Sequence, residues 1–82
     1  MSNAEIARLM IARLEALAAE TAGAGASLVS VAMEKLRDGE VTRVEAKVER
    51  KTRTLLFLSA EAFTAAGARI ATATSVHRVS AA

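Results

Sequence analysis

The sequence contains no cysteine, no proline, no tryptophan and no tyrosine. Without cysteine there can be no disulfide, no thiolate metal site and no thiol nucleophile. Phe57 and Phe63 are the only aromatic residues, so the stacking platforms on which single-stranded nucleic acids lie are missing. Hydrophobic residues still make up 52% of the chain. They are alanine, valine, leucine, isoleucine and methionine, most of which bury little area apiece. With 82 residues the chain suits one small domain, 1–82, a size at which a single core is marginal. One copy is therefore expected not to close its own core, and a homo-oligomer is expected.

Charge of one sign is also scarce. The formal net charge is +2 and the isoelectric point about 9.7, with lysine, arginine and glutamate interspersed. That pattern describes a mixed, solvated surface, and no nucleic-acid partner is expected. No apolar run reaches the ~18–20 residues of a membrane span, so no membrane partner is expected either. The start, Met1-Ser2-Asn3-Ala4-Glu5, has no basic stretch of the secretory kind, and a cytoplasmic location is the expectation. Ser2-Asn3-Ala4 resembles the remnant of a purification tag, which would put the native start slightly later. One histidine and scattered carboxylates do not cluster as metal ligands. Gly23-Ala24-Gly25 follows a helical pattern and has no Lys-Ser/Thr after it, so it is no phosphate loop. No cofactor is expected.

What is present is strong periodicity. Ile6, Leu9, Met10, Leu14, Leu17 and Thr21 recur at three- and four-residue steps, the stripe of an amphipathic helix. Ser2 or Asn3 can cap it and Glu5 suits its positive end. The spacing predicts a helix over 4–22, ended by the Gly-Ala-Gly run. Ala12, Ala16 and Ala19 give it a second, smooth side. Strands are predicted over 26–36, 41–53, 55–63 and 69–79. In the first, Val29, Val31 and Met33 alternate with Leu28, Ser30 and Ala32. In the second, Val44, Ala46 and Val48 alternate with Arg43, Glu45, Lys47 and Glu49, the period-2 pattern of a half-buried strand. The third, Leu55 to Phe63, is apolar on both faces and reads as central. Asp38-Gly39 carries a hairpin signal between the first two. Residues 80–82 read as a tail. The fold class is thus α+β, one long N-terminal helix packed on a curved antiparallel sheet of about four strands.

The stretch from Ser27 to Val79 resembles the hotdog-fold thioesterase superfamily. Ser27 to Leu36 looks like the strand that follows the central helix there. Gly39 to Phe57 is similar to a degenerate hairpin of the form G-x-x-x-x-x-A-x-V-x-R-x-x-R, and Gly67-Ala68-Arg69-Ile70-Ala71-Thr72-Ala73-Thr74 to the closing strand. The resemblance implies a helix wrapped by a curved sheet, dimers joined edge to edge or stacked as tetramers, and hydrolysis of acyl-CoA or acyl-carrier thioesters. The sequence departs from the pattern in one respect. Two strands and a His-Gly-Gly segment usually precede the helix, and neither is found ahead of the helix here. The expectation is a hotdog-like domain cut down at its start, with the 41–53 strand left at an edge.

Thioester hydrolysis needs a carboxylate near the carbonyl carbon and donors for the oxyanion. Glu15, in mid-helix beside the alanine side, is the candidate catalytic residue; the competing reading is a solvated glutamate. The resemblance would let Arg50, Lys51 and Arg53, at a hairpin end, hold the phosphates of coenzyme A; the competing reading is a charged, solvated turn. His77 stands near the end with no recognised carboxylate or serine partner and reads as a surface strand residue. Two functions are expected: an acyl-CoA thioesterase-like oligomer, or a non-catalytic assembly or acyl-binding module that keeps the sheet without the site.

Overall fold

The computed structural model describes residues 1–79, and the expected tail at 80–82 lies outside the described residues. One helix, α1 (Asn3–Ala22), leads through a short 3-10 turn (Gly23–Gly25) into four strands: β1 (Ser27–Lys35), β2 (Arg43–Lys51), β3 (Leu55–Phe63) and β4 (Arg69–Arg78). Ser2 starts the helix. Its hydroxyl accepts from the Glu5 amide at 3.1 Å, while the Glu5 carboxylate accepts from the Ser2 amide at 3.3 Å. This reciprocal capping box satisfies two of the free donors of the first turn. Gly23 ends the helix with φ +77°, a left-handed conformation that glycine adopts without strain.

All strand pairs are antiparallel, in the order β1-β4-β3-β2. β3 and β4 are the inner strands, and β1 and β2 the two edges. The expectation that Val41–Arg53 lies at an edge and Leu55–Phe63 in the interior agrees with this order. The hairpin expected at Asp38-Gly39 does not form, because β1 pairs with β4 and β2 with β3. Residues 36–42 instead cross the end of the sheet from one edge to the other. The amides of Leu36 and Arg37 both donate to the Ile70 carbonyl, at 2.7 and 3.2 Å. Gly39 passes so close to Ile70 that a Cβ would sit 3.1 Å from Ile70 Cδ1. A hydrogen-bonded Asp-Gly turn is a local signal, and pairing across the sheet overrides it.

α1 covers the face of the sheet formed mainly by β3 and β2. Ile6, Met10, Leu14 and Ala18, spaced four apart, are buried against Leu56, Leu58, Ala60 and Ala62 of β3 and Ala71 and Ala73 of β4. Ala60 lies opposite Ala73, and Ala62 opposite Ala71. Side chains this small let a helix come close to the sheet, but they contribute little buried area each. At the end of β1, Lys35 Nζ donates to Asn3 Oδ1 of the helix at 2.8 Å, but along the strand Val31 and Met33 stay more than a third exposed.

Three bulges adjust the faces. The one between Leu28 and Ser30 puts Leu28, opposite buried His77, on the same face as Val31 and Met33. Strict alternation had placed Leu28 on the other side; an extra residue in one strand is what breaks the period. A second, between Val48 and Arg50, sets Arg50 opposite Phe57 and Lys51 opposite Leu56.

Candidate functional site

Glu15 lies in the middle of α1, its side chain exposed, and Ala12, Ala16 and Ala19 are exposed with it. Beneath the helix, on β4, its charge reaches His77. That histidine is 1% exposed and Ser75 2% exposed, and Ser75 Oγ and His77 Nε2 share a hydrogen bond of 2.9 Å. His77 is therefore a buried residue with a serine partner, and the surface reading of it is corrected. Residues two apart in a strand share a face, so Ser-x-His within a predicted strand was the signal for the pair. Desolvation lowers the histidine pKa, and the nearby Glu15 carboxylate pulls it the other way. A hydroxyl–imidazole pair is the chemistry of an activated serine. Here both groups lie on β4 and are buried, so the contact satisfies two buried polar groups within one strand instead of meeting a substrate.

The three basic candidates share one end of the sheet but not one surface. Arg50 extends over the Phe57 ring, 5.7 Å from its centroid, on the face away from α1. Lys51, opposite Leu56, belongs to the helix-covered face. Arg53 is in the tight turn closed by the Thr52 amide donating to Leu55 O at 2.8 Å. The strand bulge before Arg50 sets this divergence. Arg78, opposite Leu55 at the same end, adds a fourth cation.

The outer face between β2 and β3 holds a shallow depression of about 300 Å³, open mouth included, lined by Glu45, Ala46, Lys47, Ser59, Ala60 and Glu61. It lies across the sheet from Glu15. Its charges are already paired: Arg43 with Glu45 at 2.7 Å, Arg69 with Glu61 at 2.8 Å, and Ser59 donating to Glu49 at 2.9 Å. The Ser59 hydroxyl and Lys47 hold the Glu49 carboxyl below its usual range. Among the described residues, no three histidine, aspartate or glutamate side chains gather as metal ligands, and no helix is long and apolar enough to cross a membrane.

No protein-family model and no curated protein matches the chain. Solved structures do. A Bacillus halodurans protein crystallised with CoA superposes with a TM-score of 0.84 at 16% identity, over 95% of this chain and 58% of its own. A phenylacetic acid degradation-related protein of Ralstonia eutropha, described as a candidate thioesterase, gives 0.62 at 29% identity over 70% of this chain and 44% of its own. A Shewanella oneidensis protein related to the thioesterase superfamily gives 0.61 at 18% identity, over 74% and 41%. A helix laid on an unclosed antiparallel sheet, in the arrangement of these structures, gives the chain a hotdog-like α+β fold. It spans between 41% and 58% of the length of these neighbours.

Proposed function

We propose that the chain acts on acyl-CoA thioesters, as an oligomer, with Glu15 as the catalytic carboxylate. The observation that carries this reading is the superposition of 95% of the chain on a protein crystallised with CoA. Two features support it. Glu15 projects from the one helix that such a fold offers, and it is exposed where a thioester carbonyl can approach. On the same side of the sheet, Val31 and Met33 of β1 form an apolar strip that α1 leaves uncovered. Together with Leu28, this strip suits an acyl chain, and a second subunit laid over it would complete a groove. Arg50, Lys51 and Arg53 are the proposed contacts to the CoA phosphates. Since Arg50 and Lys51 leave opposite faces of β2, a single CoA engages them unequally, with Lys51 on the helix side.

One observation favours a second reading, a non-catalytic acyl-binding or assembly module. Hydrolysis needs donors aimed at the developing oxyanion, and the single histidine of this sequence is buried with its ring nitrogen on Ser75. A panel of short, medium and aromatic acyl-CoAs separates the two. In the first reading turnover is seen and Glu15→Gln lowers kcat by about a hundredfold or more, the scale of a lost general base. Saturable acyl-CoA binding without turnover selects the second. Neither turnover nor binding at millimolar acyl-CoA sinks both acyl-CoA readings.

A further inference from the structure

The Ser75–His77 contact uses one nitrogen of the imidazole and leaves the other. Nε2 is held by Ser75 Oγ at 2.9 Å, and no group among the described residues bonds to Nδ1. Nor is Nδ1 a fully enclosed atom left unpaired, since none of those occurs among the described residues. Part of the ring's last 1% of exposure therefore lies at Nδ1. A buried ring with one nitrogen fixed has its other nitrogen aimed. Whether that nitrogen donates or accepts depends on the tautomer its partner imposes.

What it is aimed at follows from how α1 lies on the sheet. Asn3, at the start of the helix, is bonded to Lys35, and Lys35 stands opposite Ala71 of β4. The helix ends at Ala22 and the chain enters β1 at Ser27, opposite Arg78. α1 thus crosses the sheet in the direction of β4. Glu15 is twelve residues past Asn3, about 18 Å at the rise of a helix. The same distance is about five residues of strand, which from Ala71 reaches Val76, between Ser75 and His77. Glu15 makes no ion pair among the described residues; the pair on its helix joins Arg13 and Glu20. The strand neighbours of His77 are apolar, Leu28 on β1 and Leu56 on β3, and Lys51 stands one strand beyond, opposite Leu56. Of the charged groups around the ring, Glu15 acts on it, favouring the protonated form against the larger effect of desolvation.

We propose that His77 is a positioning residue for Glu15: Ser75 donates its hydroxyl hydrogen to Nε2, the hydrogen of the neutral ring stays on Nδ1, and Nδ1–H donates to the Glu15 carboxylate. A hydroxyl, an imidazole and a carboxylate in line make an activated serine where the hydroxyl is the exposed end. Here the hydroxyl is buried and the carboxylate is the exposed end, so the same chain of bonds orients a base and makes no nucleophile. His77 touches no substrate and passes on no proton. Leu28 and Val31 lie opposite His77 and Ser75 on β1, so a carboxylate held at Nδ1 stands beside the apolar strip. The role given to His77 rests on Glu15 being the working carboxylate, yet the bonds are measurable without turnover.

The chain has a single histidine, so its ring is read alone. In nitrogen-15 spectra of the full chain above about pH 7, where the ring is neutral, Nδ1 should carry the hydrogen and Nε2 should be bare. Glu15→Gln, at an exposed position, should move the Nδ1 resonance and lower the His77 titration midpoint further. Ser75→Ala leaves both other groups in place and should release the tautomer to a mixture. Where acyl-CoA is turned over, Ser75→Ala should also lower kcat by about tenfold or more with KM unchanged, and Ser75→Thr, which keeps the hydroxyl, should recover most of it. A hydrogen on Nε2 in the native chain overturns the proposal. So does a ring whose Nδ1 resonance and midpoint are indifferent to Glu15→Gln. If turnover is still lost in Glu15→Gln, either result removes His77 from the site and leaves the thioesterase reading standing. An Nδ1 hydrogen that responds to Glu15, in a chain without turnover or acyl-CoA binding, upholds the bonds and sinks the acyl-CoA reading alone.

Discussion

His77 shows how one buried side chain sets a property of the whole protein. Its neutral form is favoured in the native state because burial penalises the imidazolium more than the Glu15 carboxylate helps it. The unfolded chain takes up a proton near the ordinary value of about 6.5. Its contribution to stability is thus complete above that pH and is lost as the pH falls from there toward the lower native pKa. The depressed carboxylates of Glu5, Asp38 and Glu49 act in a separate window, since their stabilisation fades only below their unfolded values of about 4–4.5. Urea midpoints should therefore decline as the pH falls below about 6.5 in the native protein, with that slope absent in His77→Gln. An unchanged slope in the variant would remove His77 from the account. At pH 8 the same variant should still be destabilised, by about 1–3 kcal/mol, because its amide must repack the site and the Ser75 partner is altered. Leu14, wholly buried at the middle of the stripe, carries the larger packing load. Leu14→Ala should cost about 2–5 kcal/mol in denaturant unfolding, enough to unfold much of so small a domain.

At the scale of elements, the two ends of the first crossover and of the helix are the testable points. Ser2→Ala removes one half of the capping box and should lower stability by about 0.5–2 kcal/mol, read as a lower helix signal midpoint on heating. Gly39 combines φ +152° with the close approach to Ile70. Gly39→Ala should cost about 1–3 kcal/mol, read as a lower midpoint in denaturant unfolding. These elements also show what was readable beforehand. The helix stripe was legible at Ile6, Met10 and Leu14, because a 3.6-residue period survives any tertiary partner. Ala18, equally buried, was not, since alanine reads alike inside and outside. The strands were legible within about two residues at each end, for example Arg43–Lys51 against 41–53. Their order was not, because Asp38-Gly39 looks local while the true partner of β1 lies some forty residues on. The bulges at Val29 and Glu49 left no mark in composition, and so the faces of Leu28, Arg50 and Lys51 depended on pairing alone. Glu15 was identifiable as a mid-helix carboxylate; the Ser75–His77 contact was overlooked because i,i+2 spacing becomes proximity only once a strand is assumed.

At the scale of the molecule, the question is how a single helix and four strands hold together. Among the described residues the buried set is eleven hydrophobic residues, of which Ala18, Ala60, Ala62, Ala71 and Ala73 are alanines. Meanwhile Val29, Val31, Met33, Leu36 and Val48 remain exposed, all on or beside the two edge strands. Apolar area is therefore left exposed on and beside the edge strands, and this chain by itself has little margin. If association supplies the missing burial, folding and assembly are linked, and the unfolding temperature must rise with protein concentration. A tenfold increase in concentration is worth about 1.4 kcal/mol per association event, which for a domain of this size is a shift of several degrees. Calorimetry at 5, 50 and 500 micromolar tests it: the midpoint should climb steadily with concentration. A midpoint indifferent to concentration over that range would mean that the monomer is self-sufficient. The exposed valines and Met33 would then have to be explained by ligand contact alone, with added acyl-CoA, and not added protein, raising the midpoint.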